Sequence, residues 1–231
     1  RGCPYRCTYC ASSYLNPGHV RRSPEHVVEE VAYWHERYGV VDFAFYDDAL
    51  LLSPQDHIMP ILEGLIRRNI HLRLHTPNAL HIRPLNKEVA KLLRRAGFKT
   101  VRLGLETAFF EHRETLDHKV GPAEFERAAG NLKQAGFTGD ELGAYLLFGL
   151  PGQDMGQLEA SIKIVKANGI RPILAQYSPI PHTELWDEAV KVSRYDLVTD
   201  PIFHNNSIFP CQETPFSWDT VSRLKALTLM L

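Results

Sequence analysis

The sequence predicts an α/β fold, a partial (β/α)6 TIM-like barrel with parallel strands. Short apolar segments alternate with helical segments, and this alternation is typical of a parallel sheet. The five predicted strands begin at residues 42, 71, 101, 143 and 173, so successive starts are 29, 30, 42 and 30 residues apart. These intervals match βα units, which need about 30 residues each.

A polar face on three of the five predicted strands favours a barrel over an open doubly wound sheet. The predicted strands are Asp42–Asp47, His71–Thr76, Val101–Glu106, Gly143–Phe148 and Ile173–Ser178. A doubly wound sheet is covered on both faces and is apolar throughout, whereas a barrel around a polar ligand has a polar inner face. Arg102 and Glu106 share such a face, near the carboxyl end where barrel active sites lie. The alternative is an open sheet whose buried polar residues pair with one another.

Helix ends are marked by their capping residues. Ser23-Pro24 and Ser53-Pro54 are each expected to be an N-cap followed by the first helical residue. Left-handed residues are expected after the helices, where a side chain is unfavourable; the candidates are Gly39, Asn69, Gly97, Gly136 and Gly169.

The beginning of the chain suggests that a first strand lies upstream. The first long helix starts only at Pro24, so a strand before Arg1 would complete the first βα unit and bring the count to six. The chain has no initiator Met or signal peptide and is expected to be a piece of a longer protein. We expect residues 1–188 to form the barrel core and residues 189–231 to be an extension that begins a helical segment.

The composition gives no sign of two partner classes, nucleic acid and membrane. The 231 residues carry a formal net charge of -1, which gives no electrostatic reason to expect nucleic acid or an anionic membrane as the main partner. A local RNA-binding patch remains compatible with this balance. No apolar run approaches the roughly 18 residues of a membrane span.

Three of the four cysteines fall within eight residues. Cys3, Cys7 and Cys10 form a C-x3-C-x2-C motif, which indicates metal binding and a reducing, cytoplasmic compartment rather than a disulfide framework. Three thiolates on a 4Fe–4S cluster leave one iron free to bind another molecule. Zinc is the alternative, because Cys211 could in principle supply a fourth ligand, but zinc sites favour C-x2-C pairs.

The cysteine motif, with Tyr9 in the aromatic position before its third Cys, resembles the cluster loop of the radical S-adenosylmethionine (SAM) superfamily. The resemblance extends from Arg1 to about Glu188. It implies an enzyme whose open iron binds the amino and carboxylate groups of SAM. An electron from a reductant such as a flavodoxin or ferredoxin then cleaves SAM to methionine and a 5′-deoxyadenosyl radical.

The resemblance also suggests which residues contact SAM. Asp47 and Asp48 stand where the family often has Gly-Gly-Glu, which contacts the SAM amine, although an acidic pair could simply begin a turn. Glu106 resembles the ribose-contacting strand end. Arg102 could bind the SAM carboxylate or pair with Glu106 on the same face.

Further cofactor contacts are expected at the other strand ends. The segment 145–152, with Tyr145 and Leu147, resembles the adenine-contacting strand and loop, although its composition also fits a plain strand-to-turn junction. Ser178 precedes a segment that resembles the family's Pro-x-Pro-Gly-Thr, with His182 in place of the usual Gly. Asn78 closes the Thr76-Pro77-Asn78 end of the second strand and could line the cavity. No catalytic residue is assigned.

Two other side chains, His75 and Cys211, are expected to be structural. His75 is expected to face the barrel interior as a hydrogen-bonded residue rather than a general base. Cys211 is expected to be an inert buried thiol.

The Asp-Asp strand end, Gly-Leu-Pro-Gly, Pro-x-Pro and the segment 200–207 together resemble the cobalamin-binding radical SAM proteins. This implies a methyltransferase or related biosynthetic enzyme whose cobalamin is held by a domain outside this chain, with a small molecule or peptide as substrate. Two alternatives stay open. One is a cobalamin-independent enzyme of the methylthiotransferase or tetrapyrrole oxidase type, and the other is a non-catalytic, zinc-binding scaffold.

Overall fold

The computed structural model describes residues 1–109, 116–117, 120–212 and 218–229. Within these residues, five parallel strands form one sheet in the order β1-β2-β3-β4-β5, which is also their order along the chain. The strands are β1 (Asp42–Ala44), β2 (Arg73–His75), β3 (Phe98–Glu106), β4 (Leu142–Phe148) and β5 (Arg171–Gln176). All five strands are parallel and the sheet does not close on itself, as expected of a partial barrel, and the predicted fold class is confirmed. A further strand upstream of residue 1 stays a prediction.

Helices separate the strands. They are α1 (Ser12–Leu15), α2 (Pro24–Tyr38), α3 (Ile58–Arg67), α4 (Lys87–Arg95), α5 (Pro122–Gln134), α6 (Met155–Ala167), α7 (Trp186–Val192) and α8 (Trp218–Leu229). In the part of the chain that the structure describes, no helix is long and apolar enough to cross a membrane. Helix α7 runs across position 188, and the predicted division of the chain there stays a prediction.

The two faces of the sheet differ as expected. Val101, Leu103 and Leu105 are fully buried on the outer face, where they join the main hydrophobic core with the surrounding helices. On the inner face, Arg102 and Tyr145 are only half-buried. The strands therefore hold a packed apolar layer on one side and present polar groups on the other.

Strand β2 is shorter than the predicted His71–Thr76. Pro77 has no N–H to continue the ladder, and the side chain of Thr76 replaces a backbone partner. The hydroxyl of Thr76 accepts the N–H of Arg102 at 3.0 Å. The sequence prediction missed this side-chain substitution, so it placed the end of the strand one residue too late.

The other strand limits also move. Strand β1 ends at Ala44 rather than Asp47, and β3 and β4 begin at Phe98 and Leu142 rather than Val101 and Gly143. Strand β5 runs from Arg171 to Gln176 instead of 173–178, since Pro172 pairs with Ala144. An edge strand tolerates a proline because one side of its backbone needs no ladder bonds.

The helix ends match the predicted caps with one exception. The side chain of Ser23 accepts the N–H of His26 at 3.3 Å, and all five predicted left-handed residues have positive φ. Ser53, however, does not cap a helix. It has a φ of 42° and makes no capping bond, so only a 3₁₀ turn follows it and α3 begins at Ile58.

A second, smaller apolar cluster lies between the segment after β5 and the C-terminal part of the chain. Tyr177, Ala189, Leu197 and Cys211 form its buried centre, and Tyr9 of the cysteine loop packs against it. Burial, together with the charge of Glu188, raises the pKa of the Cys211 thiol to about 11. Cys211 is therefore buried and protonated, as the sequence predicts.

Candidate active site

Backbone hydrogen bonds hold the cysteine loop from several directions. The N–H of Gly2 donates to Asp48 Oδ2 at 2.7 Å, which ties the start of the loop to the end of β1. The N–H of Thr8 donates to the carbonyl of Leu116 at 3.0 Å, and the carbonyl of Thr8 accepts the N–H of Leu185 at 2.9 Å. The loop is thus attached to segments that follow β1, β3 and β5.

Gly2 allows the loop to fold back on itself. Its φ is 81°, and a Cβ at this position would lie 1.9 Å from the carbonyl oxygen of Gly18. No side chain fits at such a distance, and the positive φ disfavours any residue but glycine. The close approach brings Cys3 back toward the strand ends.

All three cysteines of the motif line one cavity of about 200 Å³. The strand ends contribute acidic and amide groups to the same cavity, together with a glycine, and the cysteine loop and the 78–81 segment complete its walls. The remaining lining residues are Tyr5, Tyr9, Ser12, Asp48, Asn78, Ala79, Leu80, His81, Gly104 and Glu106. The cavity and the carboxylates of Asp48 and Glu106 lie at the carboxyl ends of the strands, where barrel active sites form.

The segment after β2 reaches the cavity by pairing again with β3. Leu80 donates its N–H to the carbonyl of Arg102 at 2.7 Å and accepts the N–H of Gly104 at 3.0 Å. Gly104 permits this approach, because a Cβ there would lie 3.2 Å from the Cβ of Ala79 and from Glu106 Oε1. The pairing places Asn78 and His81 beside the cysteines.

Glu106 occupies a strained position at the end of β3. The register shifts between Gly104 and Glu106, and Glu106 has a φ of 62°. Non-glycine residues in this region cost on the order of 1–3 kcal/mol and cluster at functional sites. The side chain is almost fully buried, with 9% of its surface exposed, and its carboxylate lines the cavity.

Tyr9 is kept neutral beside these groups. Burial raises the pKa of its phenol most, and the charges of Glu106, Cys7 and Asp117 raise it further. The site can therefore present an uncharged aromatic wall next to thiolates and a carboxylate.

Comparison with known proteins identifies the family. Residues 1–165 match the Radical SAM superfamily. The chain belongs to this superfamily of enzymes.

Two curated relatives and one solved structure illustrate the similarity. The chain is 30% identical over 194 residues to an uncharacterized methyltransferase of Pyrococcus horikoshii, covering 82% of this chain and 40% of the relative. It is 24% identical over 199 residues to cytidylyl-2-hydroxyethylphosphonate methyltransferase of Streptomyces wedmorensis, covering 83% of this chain and 36% of the relative. The chain therefore spans well under half the length of these relatives.

Among solved structures, the fold matches the radical SAM methyltransferase TsrM of Kitasatospora setae. That structure contains tryptophan substrate and the SAM analogue aza-SAM. The TM-score is 0.67 at 23% identity, and the match covers 82% of this chain and 37% of TsrM. At this identity the match shows a shared radical SAM fold and nothing finer.

The cavity of about 200 Å³ brings together seven of the twelve predicted site residues. They are Cys3, Cys7, Tyr9, Cys10, Asp48, Asn78 and Glu106. The two neighbouring aspartates separate, because Asp48 faces the cavity while Asp47 lines a larger groove of about 1020 Å³ along the outer edge of β1, together with His57.

The other predicted contacts lie on or beside the inner face outside this cavity. The Arg102 guanidinium donates to the carbonyls of Val101 and Glu141 at 3.3 and 3.1 Å, and burial lowers its pKa. Tyr145 donates its hydroxyl to the carbonyl of Pro77 at 3.0 Å. Leu147 is buried in β4, and Ser178 is half-buried just after β5.

His81 also lies at the site, although the sequence did not predict it. Its Nε2 lies 3.8 Å from Cys3 Sγ, and its ring stacks on Tyr5. His75, the histidine singled out instead, is hydrogen-bonded as expected, to Thr100 Oγ1 at 2.9 Å and Asp42 Oδ1 at 3.4 Å. The bridge between Leu80 and Leu103 brings His81 to the site, and no periodic pattern in the sequence marks it.

The donor arrangement fits an iron–sulfur cluster. A four-iron cluster takes each thiolate at a different iron. Three thiols around one cavity, those of Cys3, Cys7 and Cys10, match this requirement.

Proposed function

We propose that this chain is the core of a radical SAM enzyme that binds a 4Fe–4S cluster through Cys3, Cys7 and Cys10 and cleaves SAM reductively. The observation that carries the proposal is that the three thiols share one cavity with two carboxylates, Asp48 and Glu106. When bound, the cluster and SAM would supply methionine and a 5′-deoxyadenosyl radical at the carboxyl end of the sheet.

The residues around the cavity suit the polar groups of SAM. Asp48 is anchored through Oδ2, and its other oxygen can accept a hydrogen bond from the SAM amine. Glu106 can accept hydrogen bonds from the ribose hydroxyls. Tyr9 would form an uncharged wall of the site, because burial raises the pKa of its phenol and keeps the hydroxyl protonated.

The size of the cavity suggests how SAM would extend beyond it. About 200 Å³ is less than the roughly 300–1,000 Å³ of typical small-molecule sites. Cluster and SAM together would therefore reach onto the neighbouring inner face. Four residues that lie on or beside that face are proposed to contact the carboxylate and adenine ends of SAM: Arg102, Tyr145, Leu147 and Ser178. The contact of Asp47 with the SAM amine stays a prediction, because Asp47 lines the separate groove beside β1.

The reaction proposed for the whole protein is methyl transfer to a small molecule or peptide, with cobalamin held by a domain outside this chain. Two curated relatives named as methyltransferases support methyl transfer. The reductant would be a flavodoxin or ferredoxin. Residues 1–188 are proposed as the barrel core, and residues 189–231 as an extension that begins a helical segment.

Electron paramagnetic resonance (EPR) after anaerobic reconstitution tests the core of the proposal. We expect about four irons per chain and a reduced-cluster signal that changes when SAM is added. Replacing any one of Cys3, Cys7 or Cys10 by Ala should abolish the signal, whereas Cys211→Ala should retain it. One equivalent of zinc in place of iron, or a signal indifferent to SAM, would overturn the assignment.

Methyl transfer is tested separately with the full-length protein. Cobalamin and SAM carrying an isotopic methyl label would be supplied under reducing conditions. Label on cobalamin and then on an added substrate supports a cobalamin-dependent methyltransferase. SAM cleavage that proceeds without any transfer of label would instead favour a cobalamin-independent radical reaction.

A further inference from the structure

We infer that His81 donates the N–H at Nε2 to the sulfur of Cys3 and thereby raises the reduction potential of the cluster. The inference rests on the proposed role of Cys3 as a cluster ligand. It assigns to His81 a positioning and electrostatic role rather than a catalytic one.

The geometry places the imidazole against the sulfur in a sheltered setting. Nε2 of His81 lies 3.8 Å from Cys3 Sγ, within the longer range of hydrogen bonds to sulfur. The His81 side chain is 8% exposed. A hydrogen bond in such a setting is electrostatically stronger than one in water.

Two independent contacts hold the ring in this orientation. The Tyr5 ring stacks on the imidazole with centroids 4.7 Å apart and planes 24° apart. The backbone before His81 is fastened to β3 on both sides of Leu80. Since both the plane of the ring and its anchoring backbone are restrained, Nε2 is directed at Cys3 before any cluster binds.

A hydrogen bond from His81 would affect reduction of the cluster, because the added electron increases the negative charge near Cys3. Reduction of an iron–sulfur cluster increases the negative charge shared by iron and sulfur, and donors to the sulfurs stabilise the reduced form. Removing the donor at His81 should therefore make the cluster harder to reduce. This matters because the proposed radical reaction begins with that one-electron reduction.

Two substitutions distinguish the effect of the N–H donor from the effect of the aromatic ring. His81→Phe keeps an aromatic partner for Tyr5 but removes the donor, and His81→Gln replaces the ring with an amide N–H of similar reach. His71→Phe is the control, because His71 is exposed at the start of the segment that leads into β2. Each reconstituted protein would be titrated with dithionite and redox mediators while EPR reports the reduced fraction.

We expect His81→Phe to lower the midpoint potential, with His81→Gln and the control close to the wild-type value. At a fixed ambient potential near the wild-type midpoint, the ratio of reduced to oxidised cluster should fall severalfold in His81→Phe. A wild-type midpoint in His81→Phe, with iron content intact, would overturn the inference while leaving the proposed function standing.

A second measurement keeps the inference testable if His81→Phe fails to take up iron. Wild-type protein labelled with ¹⁵N-histidine should show a weak hyperfine coupling between the reduced cluster and an imidazole nitrogen. A missing coupling overturns the hydrogen bond, and a coupling as strong as direct iron–nitrogen ligation overturns it as well. Failure of wild-type protein to bind any cluster would instead remove the proposed function itself.

Discussion

Single residues set the conformation of the cysteine loop. The carbonyl of Gly18 occupies the space that a side chain on residue 2 would need, and the N–H of residue 2 binds Asp48. The same few atoms therefore shape the loop, attach it to β1 and direct a carboxylate toward the cavity.

Gly2→Ala should disrupt this loop. The new Cβ would clash with the Gly18 carbonyl, and a left-handed alanine costs roughly 1–2 kcal/mol besides. We expect iron content after reconstitution to fall by more than half. Gly18→Ala is the matched control, because a Cβ there meets no atom within 4 Å. Equal iron content in the two variants would contradict this account of the loop.

Glu106 has a strained backbone conformation that places its carboxylate in the cavity. Its φ of 62° suits glycine better than glutamate. Glu106→Gly should therefore unfold at a urea concentration no lower than that of the wild type. Glu106→Gln, which keeps the size of the side chain and the backbone conformation, should also unfold at a urea concentration no lower than that of the wild type. Both should lose SAM affinity, because hydrogen bonds to a charged group contribute about 1.5–3 kcal/mol, or roughly 10- to 100-fold.

Equilibrium dialysis of labelled SAM against the reconstituted proteins measures that affinity. Glu184→Gln is the control, because Glu184 is exposed in the segment before α7. Unchanged SAM binding in both Glu106 variants would show that the strained carboxylate serves another purpose.

At the scale of elements, the break after β2 positions one side of the site. Strand β2 ends at His75, just before Thr76-Pro77, and the chain then pairs again with β3 at Leu80. The hydroxyl of Thr76 bridges the interruption by accepting the N–H of Arg102. Without this bridge, a buried backbone donor would lack its partner.

Thr76→Val tests that bridge with nearly unchanged volume. Thr76 is 1% exposed, and an unsatisfied buried donor costs about 1–3 kcal/mol. We expect the free energy of unfolding, measured in urea, to fall by about that amount. Thr100→Val, which removes a bond to half-exposed His75, should cost less. The opposite order would refute the role assigned to Thr76.

Across the whole molecule, charged groups from distant segments meet around a buried histidine. His57 precedes α3 and is 4% exposed. Burial lowers its pKa most, the charge of Arg21 lowers it further, and the charge of Asp47 opposes both. His57 is therefore neutral in the folded protein over a wider pH range than in the unfolded chain.

Burial of His57 makes the stability of the folded protein depend on pH. Above pH about 6.5, His57 is neutral in both states and contributes no pH dependence. As pH falls below that value, the unfolded chain takes up a proton that the folded protein resists, so stability decreases. His19, whose pKa is also lowered by burial, acts in the same direction.

His57→Gln should therefore reduce the loss of stability between pH 7.5 and pH 5.5. Urea unfolding at the two pH values measures the loss, and His71→Gln is the control at an exposed histidine. If the substitution left the loss unchanged, burial of His57 would not be its cause.

Local patterns in the sequence were sufficient for the strand-and-helix order, the left-handed helix ends and the cysteine motif. Each depends on residues within a few positions of one another, such as Cys3, Cys7 and Cys10, or Gly39 after α2. Such short-range constraints are nearly independent of the rest of the fold. The polar inner face was also predictable, because side chains in a strand alternate with a period of two.

Only the tertiary structure decided which polar groups share the site. Adjacent Asp47 and Asp48 point into different cavities, and the irregular segment after β2 carries His81 to Cys3. Both outcomes depend on where the backbone leaves a strand and what it pairs with next. Those contacts join residues far apart in the sequence, such as His81 and Cys3, so no local pattern of residue types encodes them.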